Sequence, residues 1–283
     1  MTKSTPYVIM LLVNPNKFKE VPSMKVIKVT LPRTLPGIEI RIFSDLHIGD
    51  KHCNLDLIKE EIDYVKHNPN CYAILNGDIL NNATKTSISD SYAELLSPME
   101  QIALYVELFT PIKDKILVLT QGNHENRTYN KEGVDLTEVV AAQLGLKDRY
   151  SKTGAVLFLK VGEHKLTTGN KRVPIVYSFY IIHGSGGGRK EGAKAIRLAD
   201  MASIIDCDIY VHGHTHLPMI MREGFYRTDM SNGVVKYVDK LFVNGSARLE
   251  YGGYGEAGEF KPSSLRCPTL YLSGTHKLAT AEL

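Results

Sequence analysis

Ile38-Glu39-Ile40-Arg41-Ile42-Phe43-Ser44-Asp45-Leu46-His47 alternates apolar and polar side chains and then stops on an acid and an imidazole two positions apart. Period-2 alternation is the pattern of a strand with one buried face. Four later apolar runs end in a similar way. Residues 72–75 stop at Asn76-Gly77-Asp78, 116–119 at Gln121-Gly122-Asn123-His124, 173–182 at His183, and 209–211 at His212-Gly213-His214-Thr215-His216. Between these runs lie segments of helical spacing: 55–66 behind Asn54 as N-cap, 91–109 with a break near Pro98, 136–144, and 191–205. Residues 155–161 and 234–243 add strands. A β-α-β-α-β half followed by a strand-rich half predicts a mixed α/β sandwich with more than one sheet. Open α/β sheets collect ligand sites at the carboxyl ends of their strands, so five strand-end loops can meet in one pocket.

The donor atoms in those loops define the chemistry. Asp45 and Asp78 offer carboxylate oxygens, Asn123 an amide oxygen, and His47, His183, His214 and His216 imidazole nitrogens. Mixed nitrogen and oxygen donors without sulfur suit Mn, Fe, Zn, Co or Ni. Seven donors exceed the needs of one tetrahedral ion and fit two ions sharing a carboxylate. Such a pair clamps a phosphoryl oxygen and lowers the pKa of a bridging water. The spacing of Asp45 and His47 on an extended segment directs both side chains to one side, and His214 and His216 repeat it. Each fragment alone has a plainer reading: a turn at Gly77-Asp78, a capping asparagine at Asn123, a surface histidine cluster at 212–216. The ordered set of five, each after an apolar strand, is what points to metal.

The series Asp45-x-His47, Gly77-Asp78, Gly122-Asn123-His124-Glu125, His183, Gly213-His214-x-His216 resembles the signature of the calcineurin-like metallophosphoesterases. That resemblance implies a four-layer α/β/β/α sandwich of two mixed sheets flanked by helices. It implies hydrolysis of a phosphate ester by attack of a hydroxide that bridges two divalent ions, with manganese the first expectation. One ion would take Asp45, His47 and His216, the other Asn123, His183 and His214, with Asp78 between them. His124 would protonate the leaving oxygen. Two departures stand out. Glu125 occupies a place where many relatives carry Asp. Asn81 stands where protein-phosphatase members have an aspartate that supports the catalytic histidine, which counts against a protein phosphatase.

The bulk numbers bound the rest. A chain of 283 residues, 43% hydrophobic and 23% charged, is long enough to bury a core without a disulfide or metal staple. A net charge of +3 is too mild to argue a nucleic-acid face by itself. Cys53, Cys71, Cys207 and Cys267 form no C-x-x-C pair and read as free thiols of a cytoplasmic protein. The apolar run 7–13 is too short to span a membrane and reads as a strand or packed arm. Residues 1–36 are expected to form an N-terminal arm or edge strand, and 37–283 the phosphoesterase domain.

Gly184-Ser185-Gly186-Gly187-Gly188-Arg189-Lys190 follows His183 directly, so its amides and the cations Arg189 and Lys190 are placed to receive a substrate phosphate. The expected partner is therefore a phosphorylated substrate, preferably a nucleotide or nucleic-acid phosphodiester. A protein phosphatase, or a pyrophosphatase of a nucleotide or lipid conjugate, is the runner-up. A non-catalytic scaffold and a DNA-tethering repair factor are the competitors from other classes. Keeping every ligand and His124 argues against the first, and the short chain after the last motif argues against the second.

Overall fold

The computed structural model describes residues 24–85, 87, 94–166, 170–186, 188 and 190–283. Run 7–13 and Arg189 lie outside the described residues. In chain order the elements are β1 (Lys25–Thr30), β2 (Gly37–Phe43), α1 (Leu55–His67), β3 (Cys71–Asn76), α2 (Pro98–Phe109), β4 (Ile116–Thr120), α3 (Asn123–Glu132), α4 (Leu136–Leu144) and β5 (Tyr150–Ser151). The second half gives β6 (Ala155–Lys165), β7 (Arg172–Ile181), α5 (Glu191–Ile204), β8 (Ile209–His212), β9 (Met219–Asp229), β10 (Val234–Asn244), the short α6 (Gly253–Ala257), β11 (Thr269–Ser273) and β12 (Ala279–Glu282).

These strands make two mixed sheets, ordered β12-β11-β2-β3-β4-β5 and β1-β6-β7-β8-β10-β9. β2, β3, β4 and β5 run parallel, as do β7, β8 and β10. Ile38, Ile40 and Ile42 turn to the space between the sheets and pack with Leu157, Phe179, Ile209 and Val243. The other face of the first sheet buries Phe43, Ala73 and Leu75 against Ile58 of α1, Tyr105 of α2 and Val140 of α4. The other face of the second sheet buries Tyr180, Tyr210 and Phe242 against Leu198 and Met201 of α5. Helices, sheet, sheet, helix is the four-layer sandwich that the motif resemblance implied, and the two sheets are those the strand pattern pointed to.

Local chemistry sets the element ends. Asn54 accepts from the Leu57 amide at 2.9 Å and starts α1. Of the helical spacing read over 91–109, residues 91–93 lie outside the described residues, 94–97 are not helical, and α2 begins at Pro98, behind a Ser97 cap that exchanges hydrogen bonds with Glu100. Proline at the first helical position loses no needed N–H there, so the break becomes a start. β1 pairs in parallel with β6 at the edge of the second sheet. β9, β11 and β12 lie outside the strands read from sequence. All four cysteines are free. No helix among the described residues is long and apolar enough to cross a membrane.

The chain after β10 returns to the end of β2. Arg248 donates its amide to the Asp45 carbonyl at 3.1 Å, and its carbonyl accepts from the Asn54 amide at 2.8 Å. Its guanidinium is 1% exposed and makes a two-pronged pair with Glu61 at 2.8 and 2.9 Å. Removing one partner of a buried pair strands the other charge. Arg248→Ala should therefore cost about 3–5 kcal/mol in urea unfolding, with the Glu61→Gln, Arg248→Met double variant recovering part of it.

Candidate metal centre

Five strand ends supply the site: β2, β3 and β4 from one sheet, β7 and β8 from the other. Asp45, His47, Asp78, His214 and His216 all adopt positive φ, between 50° and 63°. Among the described residues only Asn82 and Glu259 do the same without being glycine. Such backbone costs about 1–3 kcal/mol per residue and persists where the surroundings impose it. The extended geometry expected for Asp45-Leu46-His47 and His214-Thr215-His216 is thus corrected. β2 ends at Phe43 and β8 at His212, and left-handed turns, not pleating, aim the paired side chains.

The side chains converge. His216 Nε2 lies 3.2 Å from Asp45 Oδ1 and 3.3 Å from His47 Nε2. His183 Nε2 lies 3.1 Å from Asp78 Oδ2, 3.2 Å from Asn123 Oδ1 and 3.9 Å from Asp45 Oδ1. His124 Nε2 is 3.8 Å from Asp78 Oδ2. Three groups have the ligand-atom spacing to hold a cation: Asp45, His47 and His216; His47, Asp78 and His124; Asp78, His183 and His214. Asp78 joins the last two. Lys190 stands exposed at the N-cap position of α5, where its side chain makes no capping hydrogen bond.

Neighbouring groups fix these orientations. His183 Nδ1 donates to the Asn76 carbonyl at 2.7 Å, which turns Nε2 toward the carboxylates. The amides of His124 and His214 hold Asp78 Oδ1 and Asp45 Oδ2 at 2.8 and 3.0 Å. Glu125 is buried and accepts from the amides of Asp78, Leu80 and Gly122, tying the β3 and β4 loops together. A methyl group at Gly122 would overlap the Asp78 amide and carboxylate, so that position tolerates only glycine. His212, inside the histidine cluster, is not part of the site; it bonds Asn244 Oδ1 at 2.9 Å.

Electrostatics follow from burial. Burial would raise Asp45 and Asp78, yet His183 beside both, with His216 and His124, holds their carboxyls well below the usual range. Burial would lower His183, but Asp78 and Asp45 raise it to about 10. Burial and the neighbouring imidazoles push His47 and His214 down, toward the neutral form that ligates. Burial and then the charge of Asp78 lift Glu125 to about 7. The donor set fits a cation: buried Asp45 Oδ1 makes no well-aligned hydrogen bond, although the imidazole nitrogens of His216 and His183 lie 3.2 and 3.9 Å away. Buried polar atoms are normally paired.

Two residues escaped the sequence reading. Arg127 places Nη2 2.9 Å from His124 Nε2 and Nη1 3.4 Å from the Asn81 carbonyl. Its position three residues after His124 on a helix was the available signal. Lys194 donates to the Thr215 carbonyl at 2.7 Å, between His214 and His216. Asn81 aims its amide at Glu94, 2.6 Å away, and supports His124 instead through its carbonyl, 2.6 Å from Nδ1.

A family model described as calcineurin-like phosphoesterase matches residues 40–218. Among solved structures, an uncharacterized predicted phosphoesterase from Streptococcus pneumoniae TIGR4 is 14% identical with a TM-score of 0.34. It covers 87% of this chain and 97% of its own. Vps29 of Entamoeba histolytica, as a single mutant and as the wild type complexed with zinc, is 11% identical, with TM-scores of 0.38 and 0.33 and the same coverages. No curated protein matches.

With His183 raised to about 10, the metal-free chain carries a proton there at neutral pH that a cation must displace. Metal uptake should release protons, and affinity should strengthen as pH rises toward 10. Calorimetry in buffers of different ionisation enthalpy checks the release; affinity independent of pH between 6 and 9 contradicts it.

Proposed function

The chain belongs to the calcineurin-like phosphoesterase family, a family of metal-dependent hydrolases of phosphate esters, and from that premise we propose that it cleaves a phosphodiester of the nucleotide or nucleic-acid class at a centre of two divalent ions. The observation that carries the two-ion reading is Asp78, common to the His47–His124 group and the His183–His214 group. Asp45, His47 and His216 would hold one ion, and Asn123, His183 and His214 the other. Bound there, a pair of Mn, Fe, Zn, Ni or Co ions supplies Lewis-acid activation of water and neutralises phosphoryl charge.

The chain's own groups do the remaining work. His124 keeps Nδ1 on the Asn81 carbonyl and accepts from Arg127 at Nε2, so Nε2, once released from Arg127 and protonated from solvent, would be the nitrogen that hands a proton to the leaving oxygen. Glu125 and the His124 amide fix Asp78, while the Arg248 amide and Ser44 hydroxyl brace Asp45. Burial and the nearby Arg127 charge hold His124 below its ordinary range, which makes it a stronger acid when protonated. The diester preference is supported by Asn81, whose side chain gives His124 no carboxylate, and by the basic glycine-rich loop ending at Lys190. Arg189 and Lys190 would meet a phosphate beyond the scissile one.

Substitution separates these roles. Asp78→Asn should lower the content of both ions, whereas His47→Ala should empty chiefly one; full occupancy in Asp78→Asn defeats the shared-ligand assignment. Elemental analysis of the purified variants decides it.

His124→Ala should keep its metal and lose roughly 10²–10⁴ in turnover. The loss should shrink for nitrophenyl diesters, whose leaving oxygen needs no proton. A uniform loss across leaving groups would make His124 a phosphate-positioning group instead.

A further inference from the structure

We propose that Arg127 grips a non-bridging oxygen of the scissile phosphate, an inference that rests on the phosphoesterase reading and adds a substrate-binding residue to it. α3 starts at Asn123, so positions 124 and 127 fall on one face of its first turns, and that face fronts the metal centre. The guanidinium is half-buried, yet none of the described carboxylates ion-pairs with it. Its two partners, the Asn81 carbonyl and His124 Nε2, are neutral acceptors. Asp78, Glu125 and Glu94 act on it only from beyond ion-pair distance, so no anion directly contacts this partly buried cation.

Position names the missing anion. Arg127 Nη2 touches the same His124 nitrogen that lies 3.8 Å from Asp78 Oδ2. An ester held at the Asp78 cluster therefore brings its phosphoryl oxygens into reach of the guanidinium. Five N–H donors in a planar fork suit phosphate oxygens two at a time. An anionic oxygen outcompetes a neutral imidazole for that fork, so substrate entry draws Nη2 away and vacates the nitrogen that must face the leaving oxygen. The other cations nearby serve different ends. Lys194 is committed to the Thr215 carbonyl and Arg197 to the Ser185 carbonyl, where they brace the site loops.

The test uses the full chain loaded with manganese, as parent and as Arg127→Ala, Arg127→Gln and Arg127→Lys. Three quantities are read: metal content, affinity for inorganic phosphate by calorimetry and competitive inhibition, and KM with kcat for a nitrophenyl diester. The expected result is unchanged metal content, with phosphate affinity weakened roughly 10–100-fold in Arg127→Ala. Arg127→Gln should be as weak, because it can still bond Asn81 and His124 but carries no charge. Arg127→Lys should recover part of the affinity, since it keeps charge without the fork, and KM should rise more than kcat falls. Unchanged phosphate affinity in Arg127→Ala overturns the proposal. So does recovery by Arg127→Gln, which makes Arg127 a brace for His124, or loss of metal in all three, which makes it a structural support of the loops that carry the metal ligands. A parent that neither holds metal nor binds phosphate overturns the phosphoesterase reading itself, and this inference with it.

Discussion

Two carboxylates, Asp45 at 0% and Asp78 at 1% exposure, share one pocket in this fold. Desolvating one carboxylate costs several kcal/mol after relaxation, and a second like charge beside it adds repulsion. The surroundings are organised to make that tolerable. Amides of His124 and His214 point at the carboxylate oxygens, His183 stands between the two acids, and the remaining imidazoles close the ring. A proton on His183 is the countercharge available to the metal-free chain, and a divalent ion is the better one. The same balance explains the left-handed backbone at five of the site residues. Strain there persists because the sheets, Glu125 and Arg248 hold the loop ends from behind.

Two sheets are needed because one cannot present enough donors. β2, β3 and β4 bring Asp45, His47, Asp78 and Asn123 to the carboxyl edge of the first sheet, while β7 and β8 bring His183, His214 and His216 from the second. The apolar layer between the sheets, from Ile40 to Val243, sets their spacing and hence the distance across the centre. Asn76 links them directly, since its amide donates to the Ile182 carbonyl and its own carbonyl accepts from His183. A shift of either sheet would open the site, so core packing and site geometry are one constraint.

The core strands and their polar ends were legible in the sequence because each is a short apolar run with a sharp polar stop. Ile38, Ile40 and Ile42 show the buried face by alternation, and Asp45, Asp78 and His183 stand where the run ends. β9 was not legible. It pairs only with β10, its residues are half-exposed along most of its length, and no apolar contrast marks Met219–Asp229. β11 was hidden for another reason: its place beside β2 is a long-range pairing that local pattern does not encode. The positive φ values were also hidden, because Asp and His carry no signal as clear as glycine's. Arg127 looked like any helical arginine until the fold put Asn81 and His124 around it.

Asn81 shows how the backbone can take over a side chain's task. A carboxylate at this place would raise the His124 pKa through a full negative charge; a carbonyl orients Nδ1 with a dipole alone. The Asn81 side chain is then free to bond Glu94, which also accepts from the Ala83 amide and shapes the loop beyond β3. His124 is left to burial and to Arg127, both of which favour its neutral form, against Asp78, which favours the charged one. An imidazole so balanced changes its hydrogen-bond partner, and with it its readiness to donate, according to what else draws on the guanidinium. With His124 as the proposed acid and Arg127 as the proposed phosphate ligand, recognition and proton donation would be joined through one nitrogen atom, His124 Nε2.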